Sequence, residues 1–271
     1  MIASADPGAA FPPPNFGEPR VVAARHSEPF TVRFGWGEMG ALALTPGSDV
    51  VVVVDVITFT TAVTVAVERG CAIYPHRWDQ DAAARLASEV GAELAVRRSR
   101  VGPGQPYSLS PATLNRAPRG TSIVLPSPNG SAVAAMVAGV AGSATQVLAG
   151  SLRNAFAVAR FARRHAGVIS VIAAGERWPD GSLDPALEDL VGAGAIIDGL
   201  RRRRRSPEAE AAAAVYLQAR RRGLRPTLEG SVSGREQIER GYAEELEWAA
   251  ALNSSAAVPV LRQGAFRRHS G

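Results

Sequence analysis

The chain has no lysine: all 30 of its basic residues, in 271, are arginine. Without a Schiff-base lysine it cannot be a pyridoxal enzyme or a lysine aldolase, and it has no lysine for a P-loop or a kinase site. The single cysteine, Cys71, excludes a disulfide framework, a cysteine-rich zinc site and a protein-bound iron–sulfur cluster. The four histidines (His26, His76, His165, His269) show no metal spacing such as H-E-x-x-H. Apolar runs stop at strand length, as at 50–56, so no membrane span is expected. The first residues lack the basic and apolar regions of a signal peptide. One free cysteine fits a reducing cytoplasm, and the protein is expected to be cytoplasmic.

What is present reads as globular. Hydrophobic residues make up 46% and charged residues 20%, with a net charge of +5 that weakly favours anionic ligands. Residues 1–28, rich in Pro, Gly and Ala, are expected to form a disordered tail. One α/β domain is expected over 29–271, with a subdivision near 201–208, where five arginines precede Ser206 and Pro207. Strand-like runs at 49–56, 71–75, 93–96, 122–125, 146–149 and 168–174 alternate with helical segments at 59–69, 79–91, 131–140, 151–165 and 185–200. That alternation predicts a mostly parallel sheet flanked by helices. The pattern then becomes helical at 208–222 and 234–252, and a last strand at 258–261 is expected to return to the sheet.

In such sheets ligands bind at the carboxyl ends of the strands. Asp55, Thr58, Thr60 and Thr61 follow the first strand, and Ser127-Pro128-Asn129-Gly130-Ser131 follow the run at 122–125. Gly150-Ser151-Leu152-Arg153-Asn154 follow the run at 146–149, and Gly175-Glu176-Arg177-Trp178 follow the one at 168–174, with Glu188-Asp189 one helix start later. Helix N-termini and arginines suit a phosphate, and carboxylate, Asn and Ser oxygens suit Mg²⁺. Together they can hydrolyse a phosphate ester. Each element also has a plainer role: Asp55 and Ser151 as helix caps, Glu188-Asp189 as favourable charge in a first helical turn, Gly192-Ala193-Gly194 as close helix packing. The arginine run reads as a solvated linker; as a nucleic-acid site it would show steep salt dependence, and no aromatic interleaves with it.

These segments, in this order, resemble the 2-phosphosulfolactate phosphatase family, Mg²⁺-dependent enzymes named for a step in coenzyme M biosynthesis. Asp55-Val56-Ile57-Thr58-Phe59-Thr60-Thr61 resembles the family's Asp-Val-Leu-Arg-Ala-Thr-Thr. Ser108-Leu109-Ser110-Pro111 resembles Gly-Asn-Ser-Pro, and Ser127-Pro128-Asn129-Gly130-Ser131 resembles Thr-Thr-Asn-Gly-Thr. Gly150-Ser151-Leu152-Arg153-Asn154-Ala155 resembles Gly-Ser-Phe-x-Asn-Ala, and Ala174-Gly175 with Leu187-Glu188-Asp189 and Gly192-Ala193-Gly194 resembles the Ala-Gly…Glu-Asp…Ala-Gly block. The resemblance implies an α/β fold in two subdomains and Mg²⁺-dependent hydrolysis of the phosphate monoester of a small acidic metabolite. Asp55, Glu176 and Asp189 become the candidates for metal binding and catalysis. Asn129, Ser131, Ser151, Arg153, Asn154 and Arg177 become the candidates for substrate binding. The implied partner is a small anionic phosphate ester, with no membrane or nucleic acid, and a homo-oligomer is left open.

Two positions depart from the pattern. Thr58 stands where the first segment has arginine, and Arg97 where the family usually has glutamate. Arg153, Arg98 or Arg177 could replace the guanidinium in space, and Glu176 the carboxylate. The departures also favour a rival, a non-catalytic phosphate- or sulfonate-binding protein on the same fold.

Overall fold

The computed structural model describes residues 29–165, 167–201 and 203–269; the tail expected at 1–28 lies outside them. At its centre the five valines of β2 (Val50–Val54) are all fully buried, as a strand covered on both faces requires. Burying each stabilises the fold by roughly 1.5–2 kcal/mol. Around β2 lie β1 (Val32–Trp36), β3 (Ala72–His76), β4 (Glu93–Leu94), β5 (Ser122–Pro126), β6 (Gln146–Gly150) and β7 (Ile169–Ala173). Two short strands, β8 (Glu176–Arg177) and β9 (Leu183–Asp184), pair as a separate antiparallel ribbon. The C-terminal hairpin is β10 (Pro259–Arg262) and β11 (Ala265–Arg268). Among the described residues nine strands form one sheet in the order β1-β7-β2-β6-β10-β11-β3-β5-β4.

The fold is therefore mixed α/β with a large, mostly parallel sheet flanked by helices. Pairing within β1-β7-β2-β6 and within β3-β5-β4 is parallel. The hairpin joins the two sets with antiparallel pairings on each side, Val260 opposite Leu148 and Phe266 opposite Ile73. The expected last strand does return to the sheet, but into its middle. Because three antiparallel steps separate the sets, they formally run in opposite senses. The usual twist of 20–25° per strand accumulates to about 100° over the five steps from β2 to β5. The carboxyl ends of β2 and β5 meet all the same: Asp55, after β2, accepts from the Gly130 N–H, after β5.

Val51 and Val53 face α2 (Phe59–Glu68) and α5 (Gly130–Val140), packing with Phe59, Val63, Val133 and Phe266. Val50, Val52 and Val54 face α6 (Ala155–Arg164), α7 (Leu187–Gly199) and α8 (Pro207–Arg222). This period-2 division is the alternation of a strand. The expected close packing at 192–194 is present: a Cβ on Gly194 would lie 2.1 Å from the Ala212 carbonyl oxygen, so only glycine lets α7 and α8 approach.

The remaining helices are α1 (Gly37–Leu44), α3 (Gln80–Val90), α4 (Pro111–Leu114), α9 (Leu224–Gly230), α10 (Val232–Glu239) and α11 (Glu244–Ala250). The helix expected at 234–252 is thus two, interrupted where Gly241 takes a φ of 82°. The end of the arginine run, at 204–206, lies along the outer edge of β1: Thr31 and Val32 N–H donate to the Arg204 carbonyl at 2.8 and 3.0 Å, and Ser206 N–H donates to the Val32 carbonyl at 2.9 Å. No helix of the described residues is long and apolar enough to cross a membrane.

Candidate active site

Asp55 leaves the end of β2 and is 5% exposed. Its Oδ1 accepts from the Phe59 N–H at 3.0 Å and its Oδ2 from the Gly130 N–H at 2.8 Å. One carboxylate thus holds the N-termini of α2 and α5 together, where helix ends favour negative charge. Thr58, the residue before α2, makes no side-chain cap bond; the carboxylate of Asp55 takes that place. Burial pushes the Asp55 carboxyl up to about 6, the Phe59 and Gly130 amides counteract this, and the charge of Glu188 adds to it.

Gly130 explains why the next helix starts where it does. A Cβ there would lie 2.4 Å from Asp55 Oδ2 and 2.5 Å from Phe59 Cδ1. The preceding Asn129 donates from Nδ2 to Glu176 Oε2 at 2.6 Å. Burial, then the charge of Asp55, pushes the Glu176 carboxyl up to about 8. Asp189, 3% exposed, accepts from the Val56 N–H at 2.7 Å and the Gly175 N–H at 2.9 Å, tying the ends of β2 and β7 to α7. Its carboxyl is raised by burial, then by Asp55 and Glu188. Glu188, 2% exposed, turns into the same region.

Asp55, Asn129, Glu176 and Asp189 are therefore brought together as expected from their positions, and Glu188 joins them. Asn129, Glu176 and Arg177 also line a cavity of about 510 Å³ with Trp36, Glu38 and Asp180. Arg177 is tied to Glu38 at 2.5 Å, and Glu38 also pairs with Arg77 at 3.1 Å. The other expected residues face elsewhere. Ser131 Oγ donates to the Leu125 carbonyl at 2.8 Å. Asn154 accepts from the Ser151 N–H at 2.8 Å and donates to the Ala149 and Ala257 carbonyls, both at 3.2 Å. Arg153 packs over the Trp248 ring at 5.2 Å and lies 3.7 Å from Glu68.

Of the three arginines that could replace the guanidinium missing at Thr58, Arg98 is the one beside it: Nη2 lies 3.4 Å from Thr58 Oγ1. The same guanidinium pairs with Glu245, reaches Gln237 Oε1 at 3.5 Å and stacks 4.7 Å over Tyr242. Glu245 is 1% exposed; burial raises its carboxyl, and Arg98 and Ser110 lower it. Glu188, Gln237 and Glu245 were not among the expected site residues. Glu188 carried a usable signal in its Glu-Asp pair, whereas Glu245 is one of five glutamates between 236 and 247 and is not distinguished from the others by sequence.

An ion site can be tested on the donors present. Two buried oxygens, Glu188 Oε2 and Asn129 Oδ1, have no partner among the described residues, and the surrounding carboxylates raise one another's pKa. Oxygen donors under mutual repulsion fit a hard cation such as Mg²⁺. Among the described residues no group of three His, Cys, Asp or Glu side chains is placed to hold a metal ion.

Comparison with known proteins places these features in context. The model of a family described as 2-phosphosulpholactate phosphatase matches residues 42–264. A protein of Carboxydothermus hydrogenoformans, named a probable 2-phosphosulfolactate phosphatase, is 30% identical over 211 residues, which span 77% of this chain and 84% of that protein.

Proposed function

The chain belongs to the 2-phosphosulpholactate phosphatase family, and from that premise we propose that it hydrolyses the phosphate monoester of a small acidic metabolite resembling 2-phosphosulfolactate. The observation that carries the reading is the meeting of Asp55, Asn129, Glu176 and Glu188, two of them in the wall of the 510 Å³ cavity. In this reading Asp55, Glu188 and Asn129 Oδ1 hold Mg²⁺, which when bound supplies Lewis-acid polarisation of the phosphoryl oxygens. Asp189, with both oxygens on backbone amides, positions the strand ends that carry Asp55 and Glu176. Glu176, steadied by Asn129 Nδ2 and with its carboxyl pushed up to about 8, would give its proton to the leaving oxygen of the ester and regain one from solvent, which takes the proton that the attacking water sheds. Arg177 borders the same cavity and meets the approaching anion. The two-subdomain organisation implied by the resemblance belongs to this reading, and the opposed strand sets on either side of β10–β11 support it.

A non-catalytic anion-binding protein remains the rival, favoured by Thr58 and Arg97. The approach of Arg98 to Thr58 weighs against it, because a guanidinium is restored beside the site. Phosphate release with and without Mg²⁺, on wild type and Asp55→Asn, separates the two. The proposal expects Mg²⁺-dependent turnover that falls at least ~100-fold in the variant. Turnover independent of Mg²⁺, or full activity in Asp55→Asn, refutes it; anion binding without turnover supports the rival.

A further inference from the structure

A second cavity, of about 400 Å³, is lined by Trp78, Arg97, Arg98, Ser99, Arg240 and Tyr242 and by no acidic side chain. Its chemistry is the reverse of the first cavity, where Glu38, Glu176 and Asp180 accompany one arginine. Arg97 is exposed and stacks over the Trp78 ring at 5.5 Å, and among the described residues no carboxylate pairs with it. Arg240 reaches out from the end of α10 and pairs with Glu236 one turn back at 2.9 Å. Arg98 Nε is buried and has no partner among the described residues.

This cavity adjoins the carboxylate group on two sides. Arg98 touches Thr58, whose N–H is directed to Asp55, and Pro126 lies in the cavity wall three residues before Asn129. Three guanidiniums with two aromatic rings suit an organic oxyanion: arginine binds a carboxylate or sulfonate through parallel N–H bonds, and the rings pack against carbon. The volume falls within the range of pockets that hold a whole small molecule, and exceeds what one charged group needs.

We propose that this arginine pocket binds the acid-bearing leaving group of the substrate. A carboxylate or sulfonate sits on Arg97 and Arg240, with Arg98, held by Glu245, in the wall behind them, and a carbon skeleton packs on Trp78 and the open side of Tyr242. The proposal rests on the phosphatase reading for what is bound, while the pocket itself can be tested apart from turnover. It makes Arg97, the cation standing where the family usually has a carboxylate, a determinant of specificity.

The test is calorimetric titration with 4-sulfobenzoate and, separately, with inorganic sulfate, on wild type, Arg97→Gln, Arg240→Gln and Arg97→Lys. Wild type is expected to bind the organic anion more tightly than sulfate. Each Gln variant is expected to weaken that binding roughly tenfold, and Arg97→Lys, which keeps the charge but loses the parallel N–H bonds and the stacked plane, to weaken it by a smaller factor. In kinetics, the ratio of kcat/KM for a carboxylate-bearing ester over a neutral ester should fall by about the same factor in the Gln variants, chiefly through KM. Unchanged binding and an unchanged ratio in both Gln variants overturn the pocket, whatever the turnover. Arginine-dependent binding with no phosphate release from any ester leaves the pocket standing and overturns the phosphatase reading.

Discussion

Two glycines in α5 give the site its sharpest test. A methyl at position 130 would lie 2.4 Å from Asp55 Oδ2, 2.5 Å from Phe59 Cδ1 and 2.8 Å from Asp55 Cβ. Ordinary contacts begin near 3.4 Å, so Asp55 or the start of α5 must move by about 1 Å, which overpacking data put at roughly 1–3 kcal/mol. The shift also strains the 2.8 Å bond from the Gly130 N–H to the carboxylate, which is worth about 1.5–3 kcal/mol. Better helix propensity returns about 1 kcal/mol. Gly130→Ala should therefore destabilise by roughly 2–4 kcal/mol. Displacing Asp55 by about 1 Å should slow phosphate release on the order of 100-fold. Gly139, in the last turn of the same helix, is the control: it is exposed, and nothing lies within 4 Å of its added Cβ. Gly139→Ala should be neutral or stabilising by up to ~1 kcal/mol with full activity. Urea unfolding and phosphate-release assays on both variants decide the matter. Equal stability and activity in the pair would refute the claim that Gly130 exists to admit Asp55.

The raised Glu176 carboxyl makes metal-free stability fall with pH. Below 4.5 the group is protonated in both states, between 4.5 and about 8 only the folded state holds the proton, and above about 8 the loss is complete. In EDTA the wild type should lose on the order of 3 kcal/mol between pH 5 and 8.5, Asp55 acting in the same direction; Glu176→Gln should flatten the profile, and a wild type that gains stability over this range sinks the argument. Arg98→Ala leaves the buried carboxylate of Glu245 without its cation and should cost roughly 3 kcal/mol in urea unfolding. Pairing it with Glu245→Gln should restore most of that loss, and a single variant as stable as wild type would show the pair to be inert.

The parts of this structure visible in sequence are those set locally. The valine run of β2, the alternation of strands with helices and the positions after each strand follow from residue type and spacing. Asp55, Asn129 and Glu176 are found that way. Ser131, Ser151 and Asn154 occupy equivalent positions, yet their hydrogen bonds turn inward, because side-chain direction depends on neighbours that spacing does not identify. Arg98 and Glu245 lie 147 residues apart, and nothing local marks them as partners. The place of β10 and β11 between β6 and β3 rests on long-range pairing. β1 and α1 carry no regular pattern in the sequence, because Gly35, Gly37 and Gly40 interrupt it. α9 lies between the two helical segments expected there, and its Pro226 falls in the first turn, where proline is tolerated.

The C-terminal hairpin also has a consequence for synthesis. Each of the two parallel strand sets presents an inner edge, β6 on one and β3 on the other, and the hairpin that covers both is translated after every strand it joins. A nascent chain that has reached α11 therefore carries two unpaired edges, each a template for pairing with another chain. Such half-built sheets are where intermediates aggregate. Folding to the closed sheet waits on the translation of about ten residues, and a chain that ended before them would carry its two strand sets without the hairpin that joins them.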